Sequence, residues 1–383
     1  MDLICENRIK KNFKLTFKNV KEKNINSIII FLNALENTPN CKENTDTRLI
    51  EVMRRDSDSN ILKLATEARN KKNNCRGNFN GAYEIREESE IKEEIDWVNF
   101  GEKVMIKDKF GNEDWFFKIP KLKCEDLFPN GELGYGTYPA FLTRDESGHT
   151  IIEKDFIYIA ISPASKNEKD IPISVEKVNN KENDLWVDID FDTAREKCKE
   201  KGEGYHMMTI WEWALCAFLS YKCNTHISAK EFGFHNGKEN GIALLWGKYV
   251  NWTWIDGFKQ DEEDKWRINE INDIKLNEKD GEFFWKDLGK RPEWFEKEDC
   301  GRFENIDCDG EFANEEIYLL FARALLIPDP VKLSGYVWYN TGERMPIRGG
   351  GWSNGANAGL GALHLNTERS GSAPNIGFRF AFL

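Results

Sequence analysis

Apolar and other residues alternate at the end of the chain with the period of a β-strand. In GFRFAFL, Phe378, Phe380 and Phe382 point to one face, while Arg379 and Ala381 point to the other. Three phenylalanines on one side of a strand are typical of a strand that borders the hydrophobic core. The pattern therefore predicts a single core strand over these residues.

The stretch ALHLN has the same period. Leu363 and Leu365 face one side of the predicted strand, and Ala362, His364 and Asn366 face the other. A lone histidine in a strand is more often an ordinary strand residue than a ligand or catalyst. We therefore expect only surface contact from His364.

Further upstream, two segments have the spacing of helices. In FDTAREKCKEKG, Phe191, Ala194 and Cys198 share one helical face. Asp192 is placed to cap the N-terminus, and Gly202 suits the left-handed residue that often follows a helix. This segment is predicted to be an amphipathic helix.

The second helix is predicted at TIWEWALCAFLSY. Thr209 and Glu212 have the T-x-x-E spacing of a capping box, and the apolar residues on all sides indicate a buried helix. Two helices among many short strands favour an α+β fold.

The N-terminal part has a different pattern of apolar and polar residues. The segments FKLTFKNV, INSIIIFLNAL, TRLIEVM and SNILKLATEARN predict the order β-α-β-α, and EKVMIK and DWFFKI predict a hairpin joined through Phe110, Gly111 and Asn112. We therefore divide the chain into a small α/β unit of unknown role at 1–118 and a larger domain at 119–383.

Composition narrows the class of protein. Hydrophobic residues make up 40% of the 383 residues and charged residues 31%, which favours a packed globular protein. The net charge of -12 disfavours nucleic-acid binding. The first residues lack the apolar region of a signal peptide, and no apolar run is long enough to insert into a membrane.

Nine cysteines without a CxxC pair indicate free thiols and a reducing compartment, with synthesis in the cytoplasm.

Five separated blocks carry a resemblance to a known family. They are GYGTYPAF, GYHMMTIWEWALCAF, NWTWIDGF, GYVWYNTGERMPIRGGGW and NIGFRF, all within 119–383. In this order they resemble the variable proteins of diversity-generating retroelements. The resemblance implies a C-type lectin fold of the formylglycine-generating-enzyme, or sulfatase-modifying-factor, type. In that family, a reverse-transcribed template mutated at its adenines rewrites the end of the gene, and the encoded residues line an exposed binding surface.

Carried over to this chain, the resemblance implies two kinds of residue in the segment at about 348–375 and its flanks. Variable residues would supply exchangeable side chains to the binding surface, and frame residues would hold the backbone in place. The predicted variable residues are Gly351, Ser353, Asn354, Asn357, His364, Asn366, Thr367, Gly371, Ala373 and Pro374. The predicted frame residues are Trp352, Gly355, Gly359, Leu363, Leu365, Ile376, Gly377 and Phe378, with Glu368 added and Gly361 ambiguous.

The genetic code agrees with this division. A template asparagine codon ending in a pyrimidine, randomised at its adenines, never encodes Lys, Glu, Gln, Met or Trp. All the predicted variable residues belong to the set that can be encoded, whereas Glu368 does not. A loop rich in Gly, Ser and Asn, which reverses the chain before the last strand, would pass the same test.

Catalysis is the alternative, because the resembling fold also contains oxidoreductases. The sulfatase-modifying relatives use a cysteine pair near the end of the domain, yet the last cysteine here is Cys308. The iron-dependent relatives use a histidine cluster, whereas the five histidines here are scattered. We therefore expect a protein that is not an enzyme.

One stretch has the spacing of a calcium loop. In NIDCDGEFANEE, the predicted ligands are Asn305, Asp307, Asp309, Glu311 through its carbonyl, and Glu316. A solvated acidic insertion is the alternative interpretation.

Together, these observations predict a ligand-binding display protein, viral or on a cell surface, that uses the segment at about 348–375 as its binding surface. The expected partner is a protein or a glycan. No cofactor is expected apart from the calcium just described, and the sequence does not set the oligomeric state.

Overall fold

The computed structural model describes residues 95–97, 100–145, 148–175, 185–225, 252–273, 285–290, 301–308, 312, 314–351 and 353–383. They belong to one compact unit, Glu93–Leu383. This unit contains both helices and strands, which confirms the α+β class. The β-α-β-α order predicted near the N-terminus lies outside the described residues.

The elements are short. The described helices are α1 (Cys124–Leu127), α2 (Phe191–Lys199), α3 (Ile210–Lys222) and α4 (Glu315–Arg323). The described strands are β1 (Glu102–Lys107), β2 (Glu113–Pro120), β3 (Leu142–Arg144), β4 (Ile151–Glu153), β5 (Phe156–Ala160), β6 (Ser165–Lys166), β7 (Pro172–Ile173), β8 (Tyr205–Met207), β9 (Trp252–Trp254), β10 (Phe258–Gln260), β11 (Lys265–Asn269), β12 (Trp285–Lys290), β13 (Val337–Tyr339), β14 (Ile347–Gly349), β15 (Gly359–Leu365), β16 (Ile376–Phe378) and β17 (Phe380–Phe382). Among the described helices, none is long and apolar enough to span a bilayer.

Two five-stranded sheets organise the unit. The first sheet has the order β1-β2-β5-β17-β8, and the second sheet has the order β13-β15-β14-β9-β16. The predicted hairpin is confirmed, since β1 and β2 pair antiparallel from Glu102 opposite Lys118 to Lys107 opposite Glu113. Because β2 also pairs with β5, the hairpin belongs to the unit that begins at Glu93. The predicted boundary between 118 and 119 therefore cuts through β2.

Helix α3 is buried within the larger hydrophobic cluster, as predicted. The Thr209 hydroxyl accepts the Glu212 N–H at 3.4 Å, and the Glu212 carboxylate accepts the Thr209 N–H at 2.9 Å, which confirms the capping box. The residues from Ile210 to Ser220 are all buried.

Helix α2 confirms the predicted apolar face and corrects its cap. Phe191, Ala194 and Cys198 are buried. The N-cap is Asp190, whose carboxylate accepts the Thr193 N–H at 2.9 Å, rather than Asp192. Two aspartates flank the first apolar residue of this helix, and the spacing alone does not choose between them.

The last strand is divided in two. Phe378 ends β16 in the second sheet, and Phe380 begins β17 in the first sheet, so the prediction of a single continuous strand is wrong. The alternation itself holds, because Phe378 and Phe380 are buried in one hydrophobic cluster and Ala381 in the other. Arg379, at the crossing, is buried and donates to the Ala160 carbonyl at 2.5 Å. The chain thus passes directly from one sheet to the other.

A buried ion pair joins β8 to helix α3. The His206 ring lies between two acceptors, with Nδ1 2.9 Å from the Gly204 carbonyl and Nε2 2.7 Å from the Glu212 carboxylate. Both ring nitrogens therefore donate, and the ring is an imidazolium. Burial alone would lower the pKa of His206, but the Glu212 carboxylate raises it above its ordinary value.

We expect this pair to make the free energy of unfolding fall as the pH rises above about 6.5, the ordinary pKa of histidine. The folded protein keeps a proton that the unfolded chain loses. The stabilisation is therefore complete below that pH and is lost as the pH passes through the raised folded pKa. Urea unfolding of the wild type and His206→Gln between about pH 6 and 9 measures the slope, with His149→Gln, at an exposed histidine, as control. Equal slopes in the wild type and His206→Gln would contradict this assignment.

Candidate ligand-binding surface

The predicted variable residues lie in three stretches around strand β15. One is the loop between β14 and β15, the second is β15 with the residues after it, and the third is the loop before β16. The exposed ones are Ser353, Asn366 and Pro374. The partly exposed ones are Asn354, Asn357, His364, Thr367, Gly371 and Ala373. Gly351 is buried, so it can be a variable residue only if a larger side chain would fit there.

The predicted frame residues are largely interior. The buried ones are Gly359, Leu363, Leu365, Ile376, Gly377 and Phe378. Trp352 lies outside the described residues. Gly355 is exposed instead of buried, and nothing lies within 4 Å of the position that its Cβ would take. Its φ of +53° explains the glycine, because side chains with a Cβ seldom adopt this conformation. Glu368 is exposed, so burial does not explain its place in the frame.

Close backbone packing fixes the glycines of β15. A Cβ on Gly359 would lie 2.0 Å from the Ser334 carbonyl oxygen, and one on Gly361 would lie 2.6 Å from the Leu333 carbonyl oxygen. Gly361, ambiguous from the sequence, therefore lies where a side chain would not fit, as expected for a frame residue. A Cβ on Gly351 would meet no heavy atom closer than 3.4 Å, which is ordinary contact.

Gly371 fits the variable set less well. A Cβ there would lie 2.8 Å from the Thr367 methyl group and 3.1 Å from the Glu368 carbonyl oxygen. A larger residue at Gly371 would require this turn to shift.

Arg348, in β14 just before the first predicted variable residues, holds β14 to the end of helix α4. Its guanidinium is completely buried and donates to the carbonyls of Ala324 at 3.3 Å and Leu325 at 2.5 Å, where α4 ends. It also donates to the carbonyls of Gly361 and Ala362, each at 3.3 Å. The C-terminal end of a helix carries unpaired carbonyls and partial negative charge, and a buried cation satisfies both. Arg348 in the RGG stretch therefore fixes β14 and β15 to the C-terminal end of α4.

Aromatic side chains lie on the face of the second sheet that carries His364. We call Trp252, Tyr336, Trp338 and His364 the aromatic patch. The ring centroids of Trp338 and His364 are 5.5 Å apart, and the Trp252 ring lies 5.2 Å from His364 and 5.5 Å from Trp338. Tyr336 extends the patch, with its ring 4.7 Å from Trp338. Trp252 is buried beneath, while the other three are partly exposed.

His364 is a neutral hydrogen-bond donor in this patch. Its Nδ1 accepts the Asn366 N–H at 3.3 Å, so the proton of the neutral ring is on Nε2. Burial lowers the pKa of His364 to about 4, which keeps the ring uncharged at neutral pH.

Amide side chains continue the surface beyond Trp252. A Cβ on Gly351 would lie 3.5 Å from the Trp252 ring, 3.4 Å from the Asn354 side-chain oxygen and 3.6 Å from the Asn375 side-chain nitrogen. The backbone N–H of Asn366, an exposed residue, donates to the His364 ring. Residues from all three variable stretches, or their direct neighbours, therefore meet around the aromatic patch.

Sequence reasoning missed Trp252, Trp338 and Asn375 as site residues. The tryptophans stand in NWTW and GYVWYN, which were used only for the resemblance. The available signal was the strand period, because Trp338 faces the opposite side from Val337, a core residue. The pairing of β13 with β15, which places Trp338 beside His364, could not be derived from the period.

Of the predicted calcium ligands, the structure describes Asn305, Asp307 and Glu316. Asp309 and Glu311 lie outside the described residues. Glu316 is in the first turn of α4 and pairs with Lys286 at 2.8 Å. Across the described parts of the chain, no three His, Cys, Asp or Glu side chains are grouped as metal ligands would be.

Four of the thiols that the structure describes have environments that favour the protonated form. Burial raises the pKa of both Cys124 and Cys223 to about 11. Cys198 and Cys216 are fully buried, and burial raises their pKa as well. Thiolate chemistry at neutral pH is disfavoured at these four positions.

A cleft of about 810 Å³ lies elsewhere, between β8 and the β3–β4 pair. Its lining includes Lys109, Lys154, Lys199 and Glu203 but no cysteine or serine. His206 also borders the cleft, with both of its ring nitrogens already engaged. The predicted variable residues are not part of this lining.

No protein-family model matches the chain, and no curated protein matches it either.

Proposed function

We propose that this chain is a ligand-binding display protein with a C-type lectin fold, whose segment at about 348–375 supplies exchangeable contact residues. The observation that carries the proposal is the alternation at the C-terminal end of β15, beyond the buried residues from Gly359 to Leu363. Leu363 and Leu365 are fully buried, while His364 between them is partly exposed and Asn366 after them is exposed. A strand fixed by one face can present different side chains on the other without losing its position.

Further support comes from the way in which this strand is held. The close approach at Gly359 and Gly361 and the contacts of the Arg348 guanidinium fix the backbone with atoms that lie outside the exposed surface. Binding surfaces with small polar side chains on a rigid backbone bind with a modest loss of conformational entropy.

If the surface works in this way, the free energy of unfolding should depend little on its exposed side chains. We expect Ser353→Ala, His364→Ala and Asn366→Ala, combined in one variant, to change the free energy of unfolding by no more than about 1.5 kcal/mol. The matched control replaces the buried neighbours Leu363 and Leu365 with alanine, which should cost roughly 2–5 kcal/mol each. Denaturant unfolding measures both, and comparable losses in the two variants would contradict the proposal.

Binding itself is tested by selection. A surface-displayed library varied at Ser353, Asn354, His364, Asn366 and Pro374 is sorted for binding to green fluorescent protein, a target with no relation to the chain. We expect folded members that bind the target and lose binding when these five residues revert. A parallel library varied at exposed residues of β4 is the control. Failure to obtain binders, or equal success with the control library, would contradict the proposed function.

A further inference from the structure

The aromatic patch and its surroundings narrow the chemistry of the ligand. This step rests on the proposed function and concerns the chain with its present side chains. The patch offers partly exposed rings from Tyr336, Trp338 and His364. Such rings provide apolar area and a π face that packs against C–H groups.

The groups next to the rings are neutral hydrogen-bonding groups. Asn354 uses its side-chain oxygen to accept the Gly351 N–H at 2.7 Å, which leaves its NH₂ group as a donor. The Asn375 amide lies beside it, and Ser353 and Asn366 are exposed. The His364 Nε2–H is a further neutral donor. Amide and hydroxyl groups of this kind both donate to and accept from hydroxyl groups.

Nearby charges do not favour an anionic ligand. The Arg344 guanidinium pairs with Glu368 at 3.0 Å, and the Arg369 guanidinium pairs with Asp192 at 2.8 Å and with Glu343 at 3.4 Å. These two partly exposed arginines are therefore engaged by carboxylates, and Arg348 is buried and donates to backbone carbonyls. A sulfate or carboxylate on a ligand would have to compete with Glu368, Asp192 and Glu343 for the two partly exposed arginines.

From this combination we infer that the aromatic patch binds a neutral carbohydrate. One apolar face of a sugar ring would stack on Trp338, and its hydroxyl groups would bond to the surrounding amides and to the His364 Nε2–H. A carbohydrate fits because it has an apolar C–H face and many hydroxyl groups but needs no charged partner. A protein epitope would more often require a larger apolar contact or charges left open for pairing.

The full chain is first tested on an array that carries neutral oligosaccharides of glucose, galactose, mannose and N-acetylglucosamine beside sialylated and sulfated ones. We expect binding to at least one neutral oligosaccharide. That oligosaccharide is then titrated calorimetrically at neutral pH. In Trp338→Ala the Kd should rise roughly tenfold or more, and in His364→Ala by several-fold. The control Trp285→Ala removes a partly exposed tryptophan of β12 and should leave the Kd unchanged.

Melting temperatures of all variants show whether each is folded, and His364→Ala, a smaller change, provides the second arm if Trp338→Ala does not fold. The inference is overturned if no neutral oligosaccharide binds, if only sialylated or sulfated ones bind, or if both variants keep the wild-type Kd. Its failure is distinct from failure of the proposed function, because the selected library would still bind green fluorescent protein through the variable positions.

Discussion

Replacing Arg348 with methionine should lower the free energy of unfolding by about 3–5 kcal/mol, as measured by urea unfolding. Methionine keeps much of the side-chain volume but donates no hydrogen bond. The carbonyls of Ala324, Leu325, Gly361 and Ala362 would then lose the donors that the guanidinium supplies in the interior. The cost of a buried acceptor without a donor is about 1–3 kcal/mol, and partial relaxation keeps the total below the sum.

The matched control is Arg302→Met. Arg302 is exposed at its side chain, and its guanidinium lies 3.4 Å from the Glu304 carboxylate. Pairs of this kind contribute about 0–1 kcal/mol, so this variant should unfold almost as the wild type does. A loss of less than about 1 kcal/mol in Arg348→Met would show that the anchor at the end of α4 does not stabilise the variable segment.

Gly359→Ala should destabilise the protein by about 3 kcal/mol or more, whereas Gly351→Ala should cost less than about 1 kcal/mol. The added methyl group at Gly359 would lie 2.0 Å from the Ser334 carbonyl oxygen, and both backbones would have to separate. At Gly351 the same group would make ordinary contacts of 3.4 Å and longer with Asn354, Asn375 and Trp252. Thermal and denaturant unfolding of the two variants measure the difference.

Gly359 is a predicted frame residue and Gly351 a predicted variable residue, and both receive the same substitution. Both glycines are buried, so burial does not separate them. Equal losses in the two variants, whether large or small, would contradict the division of the segment into frame and variable positions.

Periodicity predicted the local features of this fold well. The buried face of helix α2, the capping box of α3 and the β1–β2 hairpin were all confirmed. Each depends on residues that are close in the sequence, so the spacing of apolar and polar residues determines it.

Features that depend on distant pairing were not predictable in the same way. The break of the last strand at Arg379 follows from the choice between two sheets, which a period of two does not encode. The predicted boundary after residue 118 falls within β2 for the same reason, because β2 pairs with β5, which is distant in the sequence. A local hairpin signal carries no information on the sheet that the hairpin joins.

The candidate site was predictable only in part. The exposure of Ser353, Asn366 and Pro374 agrees with their assignment. Trp338 reaches His364 through parallel pairing of β13 with β15, which brings together residues from separate parts of the chain. Gly361 could be assigned only from its distance to the Leu333 carbonyl oxygen.

Strand β17 lies between β5 and β8 in the first sheet, although it is made after both of them. During synthesis, β5 and β8 therefore cannot pair with their shared neighbour until the ribosome has passed Phe382. Residues 348–375, the proposed binding segment, are translated just before β17 and must leave it able to insert. A set of substitutions in this segment that displaces the following chain would leave one open edge on β5 and one on β8. Open strand edges favour aggregation, so completion of this sheet limits which sequences the proposed segment can carry.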